Sequence, residues 1–522
     1  MLLLALLLAP AARAQSADSA LAALGSGNFD EIRHGIEQLA LSGSPRAIPV
    51  IAALQSGTLY TRADHALFIK APDGAITNAL TGAPAPDVMV SGLKQVRLNN
   101  NVRVAIDAAL GSLRLFAADP ATRIDAADAV FHSRDPAALP ALDRAIAKEG
   151  DAGVKRAMMH ARAAVVLASP DSREADRLAA VSVVAGRGDL DARSLLASLS
   201  GQPPAVAEAA AKAVSAIDFS LQLWSYGQSV FYGLSLGSVL LLAAAGLAIT
   251  FGVMGVINMA HGEMVMIGAY VTFVVQQVLR SAAPGLFGAS LFIAIPLAFL
   301  VTGLIGMAIE RGLIRFLYGR PLETLLATWG LSLLLQQAVR SIFGPSNLQV
   351  GTPAWMSGAV QVGQLTITWN RLVIIVFAVL VLAALMAALR YTALGLRMRA
   401  VTQNRRMAAA MGIRTPWIDA LTFGLGSGVA GLAGVALSQI DNVSPNLGQG
   451  YIIDSFMVVV FGGVGNLWGT VVAALTLGIV NKFLEPVAGA VLGKIVVLVL
   501  LILFIQRRPR GMFPLKGRAV EA

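Results

Sequence analysis

The chain has 522 residues, 56% hydrophobic and 13% charged, whereas an ordinary soluble domain carries about 25% charged residues. Lys and Arg (40) outnumber Asp and Glu (30) for a formal net charge of +10, and there is no cysteine, which excludes disulfides, thiolate catalysis and Cys-based metal sites. The five histidines (34, 65, 132, 160, 261) lack metal-ligand spacing, so a metalloenzyme is unsupported and no cofactor is expected.

Residues 1–14 combine an apolar run at 2–9 with Ala12-Arg13-Ala14, the small-residue pattern at which signal peptides are cut. A short buried helix is the other reading. As a signal peptide, the stretch sends everything from Gln15 onward across the membrane. Residues 15–225 carry 20 Lys and Arg against 22 Asp and Glu, the balance of a soluble domain. Apolar residues recur at helical spacing over 17–60 and 104–217, with Gly, Pro and Asp breaks. The stretch Ser44-Pro45-Arg46-Ala47-Ile48-Pro49-Val50-Ile51 recurs in pattern as Asp135-Pro136-Ala137-Ala138-Leu139-Pro140-Ala141-Leu142. Each opens with an N-cap residue and a proline at the first helical position. The repeat predicts a soluble α-helical, HEAT-like periplasmic domain over 15–225. Residues 59–103 interrupt it with the turn signals Pro72-Asp73-Gly74 and Gly82-Ala83-Pro84 and read as a short strand-containing insertion.

From residue 226 the chemistry changes. Apolar segments run at 228–252, 262–279, 286–309, 323–343, 371–390, 416–439, 454–468, 470–485 and 494–506. A crossing takes about 20 apolar residues, so the first six qualify. The segments after residue 453 are shorter and glycine-rich, which predicts a broken or re-entrant piece among them. The expected fold class is all-α, a polytopic transmembrane helical bundle of about eight to nine hydrophobic segments over 226–513, followed by a cytoplasmic tail at 514–522.

Residues 226–522 hold 19 Lys and Arg but only 8 Asp and Glu. The cations cluster at Arg311, Arg315 and Arg320, at 390–414, and at 507–518, while loops 344–370 and 440–453 have neither Lys nor Arg. Cations flanking apolar spans point to membrane orientation, not to nucleic-acid binding. The positive-inside rule places the three basic segments in the cytoplasm, in agreement with an exported N-terminal domain.

Asn258-Met259-Ala260-His261-Gly262-Glu263 sets a histidine and a carboxylate close to hydrocarbon, which is costly unless they face a cavity or a partner. Asn258, His261 and Glu263 either belong to a solute path and its gate or form a cytoplasmic-end turn in which Asn258 and Glu263 cap helices. The small-residue tract Gly424–Gly434 serves close helix packing or lines a pore. Phe461-Gly462-Gly463-Val464-Gly465-Asn466 predicts an unwound helix, with Gly462, Gly463, Gly465 and Asn466 as further path candidates. The loop 392–415 is basic and amphipathic, with Arg397, Arg399, Asn404, Arg405, Arg406, Ala409, Gly412 and Ile413 as its marked positions. It is either a solvated positive loop or a docking helix. Gly489-Ala490-Val491-Leu492-Gly493-Lys494-Ile495 evokes a phosphate-binding loop, but it is one residue short and Ile495 stands where a Ser or Thr would hold magnesium. An enzyme is therefore not expected.

Gly233-Leu234-Ser235-Leu236-Gly237-Ser238 and the run from Thr250 through Asn258 to Glu263 resemble the first spans of the high-affinity branched-chain amino-acid/amide ABC transporter permeases. So do Ile309-Glu310-Arg311, the run Leu326–Gln336, Val460–Gly465 and the ending Arg508-Pro509-Arg510-Gly511-Met512-Phe513. The resemblance covers about residues 228–513. It implies a second permease subunit, two cytoplasmic ABC ATPase subunits and a periplasmic solute-binding protein, with the loop matching Asn404–Ile413 as the segment that meets the ATPases. Amino-acid members begin near residue 220 of this chain, and the added N-terminal domain resembles the urea-type permeases, the B subunit of urea importers. The implied function is a multi-pass permease subunit of an ATP-driven importer in the bacterial inner membrane, for urea, working by alternating access. The alternatives are branched-chain amino acids or short amides carried by the same machine, or a passive urea channel. Reversing Arg405 and Arg406 to Glu is expected to uncouple uptake while leaving the protein inserted.

Overall fold

The computed structural model describes residues 19–513 except 43, 45, 63, 72, 73, 86, 87 and 89–91. The expected signal peptide at 1–14, Pro45, the Pro72-Asp73 pair and the tail 514–522 lie outside the described residues. The chain forms two compact units, Met1–Leu221 and Gln222–Ala522.

In the first unit, α1 (Phe29–Ser42) and α2 (Ala47–Gln55) precede four short strands, β1 (Leu59–Thr61), β2 (Leu67–Lys70), β3 (Ile76–Asn78) and β4 (Lys94–Gln95). These make an antiparallel sheet of order β3-β2-β1-β4. Six helices follow: α3 (Asn100–Arg114), α4 (Pro120–Ser133), α5 (Leu139–Lys148), α6 (Ala152–Ala168), α7 (Glu174–Ala185) and α8 (Leu190–Ala197). Their starts are written locally. Asn99, Asp119, Asp151 and Asp189 each accept a hydrogen bond from a first-turn backbone N–H, which satisfies a donor the helix cannot. Asp135 caps too, but it caps the 3-10 turn Pro136–Ala138 that leads into α5, and not α5 itself. Arg187 ties α4 to the turn before α8: it donates to Asp128 (2.7 Å) and Asp189 and lies 4.4 Å over the Phe131 ring.

The second unit is built from α9 (Pro204–Met254), whose early part lies before the unit boundary, α10 (His261–Ala282), α11 (Ser290–Gly312), α12 (Pro321–Phe343), a hairpin of β5 (Ala359–Val362) and β6 (Leu365–Thr368), α13 (Trp369–Tyr391), α14 (Ala393–Gln403), α15 (Arg405–Ala410), α16 (Thr415–Leu437), α17 (Leu447–Gly462) and α18 (Leu467–Arg507). Among the described residues, six stretches are long and apolar enough to cross a membrane: Pro204–Met254, His261–Ala282, Pro284–Phe316, Trp369–Tyr391, Thr415–Leu437 and Leu467–Arg507.

This set differs from the expected one at α12. α12, expected as a crossing over 323–343, is not among the six, because Thr324, Thr328, Ser332 and Gln336 dilute its apolar character. Those four recur every fourth residue and are buried, while Leu322, Leu326, Leu334 and Ile342 on the rest of its surface are exposed. The expected segments 470–485 and 494–506 are two helical limbs of Leu467–Arg507 that meet at a kink at Gly489 (φ 76°), beyond Pro486. A Cβ on Gly493 would sit 3.5 Å from the Leu484 Cβ, so the second limb folds back on the first.

Small residues set the interior. A Cβ on Gly268 of α10 would collide with the Gly431 carbonyl of α16, and one on Gly434 with the Val265 carbonyl. Gly306 of α11 similarly abuts Ser427. The tract Gly424–Gly434 is thus a packing stripe, buried except at Leu425, against which α10 and α11 press.

Candidate solute path and docking segment

The segment 258–263 is the start of α10, turned inward. Asn258, His261 and Glu263 are all buried. The Asn258 carboxamide oxygen accepts from the Ala260 N–H (3.0 Å), and His261 donates through Nε2 to the Ala243 carbonyl of α9 (2.9 Å). Glu263 Oε1 accepts from Ser332 Oγ (2.8 Å) and Gln336 Nε2 (2.7 Å) on the polar stripe of α12. Thr328, one turn earlier, accepts from the Met259 N–H (3.2 Å). Glu263 Oε2, Asn258 Nδ2 and His261 Nδ1 are buried with no hydrogen-bond partner among the described residues. The α10–α12 seam therefore holds a carboxylate with half its acceptor capacity unused, beside hydroxyl and amide groups.

The glycine-rich turn is a separate place. Gly463 (φ 103°) and Gly465 (φ 79°) reverse the chain between α17 and α18, a backbone path that side chains rarely follow. Asn466 caps α18 through the Trp468 and Gly469 N–H groups and donates to the Phe513 carbonyl (3.1 Å). Met512 and Phe513 N–H groups bond the Phe461 and Gly462 carbonyls, so the turn is stitched to the chain's basic ending. Gly465 also lines a cleft of about 350 Å³ with Gly252, Met398 and Arg399. Gly462, Gly463 and Asn466 thus group with the chain's basic ending, and Gly465 also with the helix 393–403, rather than with Glu263.

That segment is a helical pair. Thr392 caps α14 and Asn404 caps α15 by accepting from the Met407 N–H (2.9 Å). Gly412 (φ 85°) ends α15 and Ile413 packs against the interior cluster beside it. Arg399 donates to the Leu389 carbonyl (2.8 Å), which closes the turn from α13. Arg397, Arg406 and Ala409 point outward, beside exposed Met407 and Met411. Arg405 turns back onto Asp419 of α16, a buried carboxylate, so it is not free as Arg406 is.

The branched-chain amino acid transport system / permease component family model matches residues 229–505. The chain belongs to that permease family. Among its relatives, the branched-chain amino acid permease protein LivH of Escherichia coli K12 is 32% identical over 302 residues, 56% of this chain and 97% of its own. Its counterpart BraD of Pseudomonas aeruginosa is 30% identical over 298 residues, 56% of this chain and 96% of its own. The ribose import permease RbsC of Bacillus subtilis matches only 114 residues, at 29% identity, 20% of this chain and 35% of its own. No solved structure matches. The permease is a multi-pass inner-membrane protein, and as a family member it is a transport subunit. The family match starts after the first unit ends.

Sequence reasoning passed over the charged and polar partners. Ser332 and Gln336 of the permease lie within the run Leu326–Gln336, and their four-residue spacing is a readable signal. Asp419, and the pair Lys494–Asp454 (2.8 Å, beneath the Tyr451 ring), stood as lone charges in apolar runs, which is itself a sign of a specific partner.

Proposed function

We propose that this chain is one of two permease subunits of an ATP-driven importer, and that its solute is a branched-chain amino acid or short amide. The family match across residues 229–505 carries this reading. The relatives' names favour branched-chain amino acids over urea. The second unit spans the inner membrane with the basic 390–414 segment in the cytoplasm, where α14 and α15 meet two ATPase subunits, while the first unit faces the periplasm and a solute-binding protein. The α10–α12 seam supplies the solute contact. Glu263 Oε2 accepts N–H from the solute, and Asn258 and the hydroxyls of α12 complete a polar lining that the two permease states expose in turn.

Uptake of labelled leucine and labelled urea in a strain lacking this gene, with and without complementation, tests the solute. Leucine uptake restored by the wild-type gene and lost on inactivating the ATPase partner is the expected result. Uptake that survives ATPase inactivation would make the chain a passive channel and refute the importer. A urea carrier remains the second reading, because a whole unit, Met1–Leu221, lies outside the matched stretch. Restored urea uptake without leucine uptake would select it.

A further inference from the structure

The docking segment is wired to the helix core by charge, not by packing alone. Arg405, the first residue of α15, donates through both terminal nitrogens to the Asp419 carboxylate, one of the two contacts at 3.3 Å. Asp419 is 1% exposed as a side chain and Arg405 43%, so the pair straddles the boundary between the interior and the surface. The Arg405 guanidinium also lies 4.9 Å from the centre of the Tyr318 ring. The Tyr318 hydroxyl donates to buried Glu310 at the end of α11 (3.0 Å), and Arg311 stacks 4.3 Å over Trp417, two residues before Asp419. One cluster thus joins the ends of α11, α15 and α16 with the loop between α11 and α12.

What lies beyond Asp419 gives the cluster its consequence. α16 is buried along nearly its whole length and presses on α10 through glycine contacts that leave no slack, Gly434 on Val265 and Gly431 on Gly268. Val265 is two residues from Glu263. A displacement of α15 is therefore handed through Arg405 and Asp419 to a rigid helix, and through it to the element that bears Glu263.

We propose that Arg405 and Asp419 are positioning residues for transport: their ion pair is the link by which movement of α14–α15 is converted into movement of α16 and α10. The inference rests on the reading of 397–413 as the ATPase docking segment. Surface arginines there would serve attraction, whereas Arg405 serves transmission, so its loss separates ATP turnover from solute movement.

The test is the complete importer in proteoliposomes, scored as labelled solute moved per ATP hydrolysed, with whichever of leucine and urea the wild-type complex takes up. Asp419→Ala frees Arg405 to reach solvent. The ATPase subunits should still co-purify, with hydrolysis within about twofold of wild type, while solute moved per ATP falls by about tenfold, a typical coupling strength. The exchanged pair R405D/D419R should recover most of that ratio, which a merely disrupted helix would not. If Asp419→Ala fails to insert, Asp419→Asn keeps the side chain's shape, removes its charge and should lower the ratio by about threefold. An unchanged ratio in these variants, or an exchanged pair that restores nothing, overturns the inference. ATPase subunits that do not bind the wild-type permease at all would instead refute the docking reading beneath it.

Discussion

Lys494→Ala should destabilise the second unit far more than Asp454→Ala does, although each removes the same ion pair. Lys494 Nζ donates to Asp454 Oδ2 at 2.8 Å, with the Asp454 side chain 6% exposed and the Lys494 side chain 49%. At that distance two unit charges attract by about 6 kcal/mol at an effective dielectric constant of about 20, and desolvation and exposure of the lysine return a large part of it. The asymmetry comes from what each truncation leaves behind. Without Lys494, a buried carboxylate stands unpaired in a membrane helix, at a cost of about 3 kcal/mol. Without Asp454, the lysine extends along its aliphatic stem to a polar environment, at about 1 kcal/mol. The exchange D454K/K494D should return stability to within about 1 kcal/mol of wild type, far less than the two truncations cost together. Equilibrium unfolding by SDS in mixed micelles, followed by helical circular dichroism, measures all four proteins. A Lys494→Ala variant within about 0.5 kcal/mol of wild type, or an exchange as damaging as the two truncations summed, would refute the argument.

Further expectations concern packing, docking and acid stability. Gly431→Val should cost about 3 kcal/mol or prevent folding, since its Cβ would sit 3.0 Å from the Ala298 carbonyl and strike Thr302; the same unfolding assay reads it. Arg406→Glu with Met411→Asp should weaken retention of the ATPase subunits by about tenfold in a pull-down from solubilised membranes, while the permease inserts normally. In the first unit, backbone N–H groups hold the carboxyls of Asp151 (those of Val154 and Gly153) and Glu149 (that of Asp151) below the usual range, and Thr122 does the same for Asp119. Carboxyls that ionise more readily folded than unfolded stabilise above about pH 4, and that contribution is lost as pH falls through their folded values. Amides of α4 and α6 should therefore lose exchange protection below about pH 4 after correction for intrinsic rates. Asp151→Ala should lower the exchange protection of α6 at neutral pH and flatten its acid response.

Much of this architecture was legible in the chain's order of residues, for local reasons. The fall in acidic residues after 226 marks the change of solvent, and the apolar runs locate helices because a helix in lipid satisfies its own backbone. Gly463 and Gly465 announce a break between helices, and Asp135-Pro136 a capped start, which falls on a 3-10 turn ahead of the expected helix, because backbone conformation and first-turn hydrogen bonds are decided within a few residues. The exception is α12. Counting apolar residues registers a helix of crossing length but not its buried stripe of Thr324, Thr328, Ser332 and Gln336, a periodic signal that an average erases.

The partners of the charges were decided only by the tertiary structure. Glu263 meets Ser332 and Gln336 across 69 and 73 residues, Lys494 meets Asp454 across 40, and Arg405 folds back on Asp419 across 14. Hydropathy sums over one segment and can tell that a lone carboxylate in an apolar run needs company. Which side chain supplies it depends on how closely helices approach and in what rotation. In this bundle that is fixed where bare glycine backbones, Gly268 against Gly431 and Gly246 against Gly426, let helices far apart in the chain come into contact.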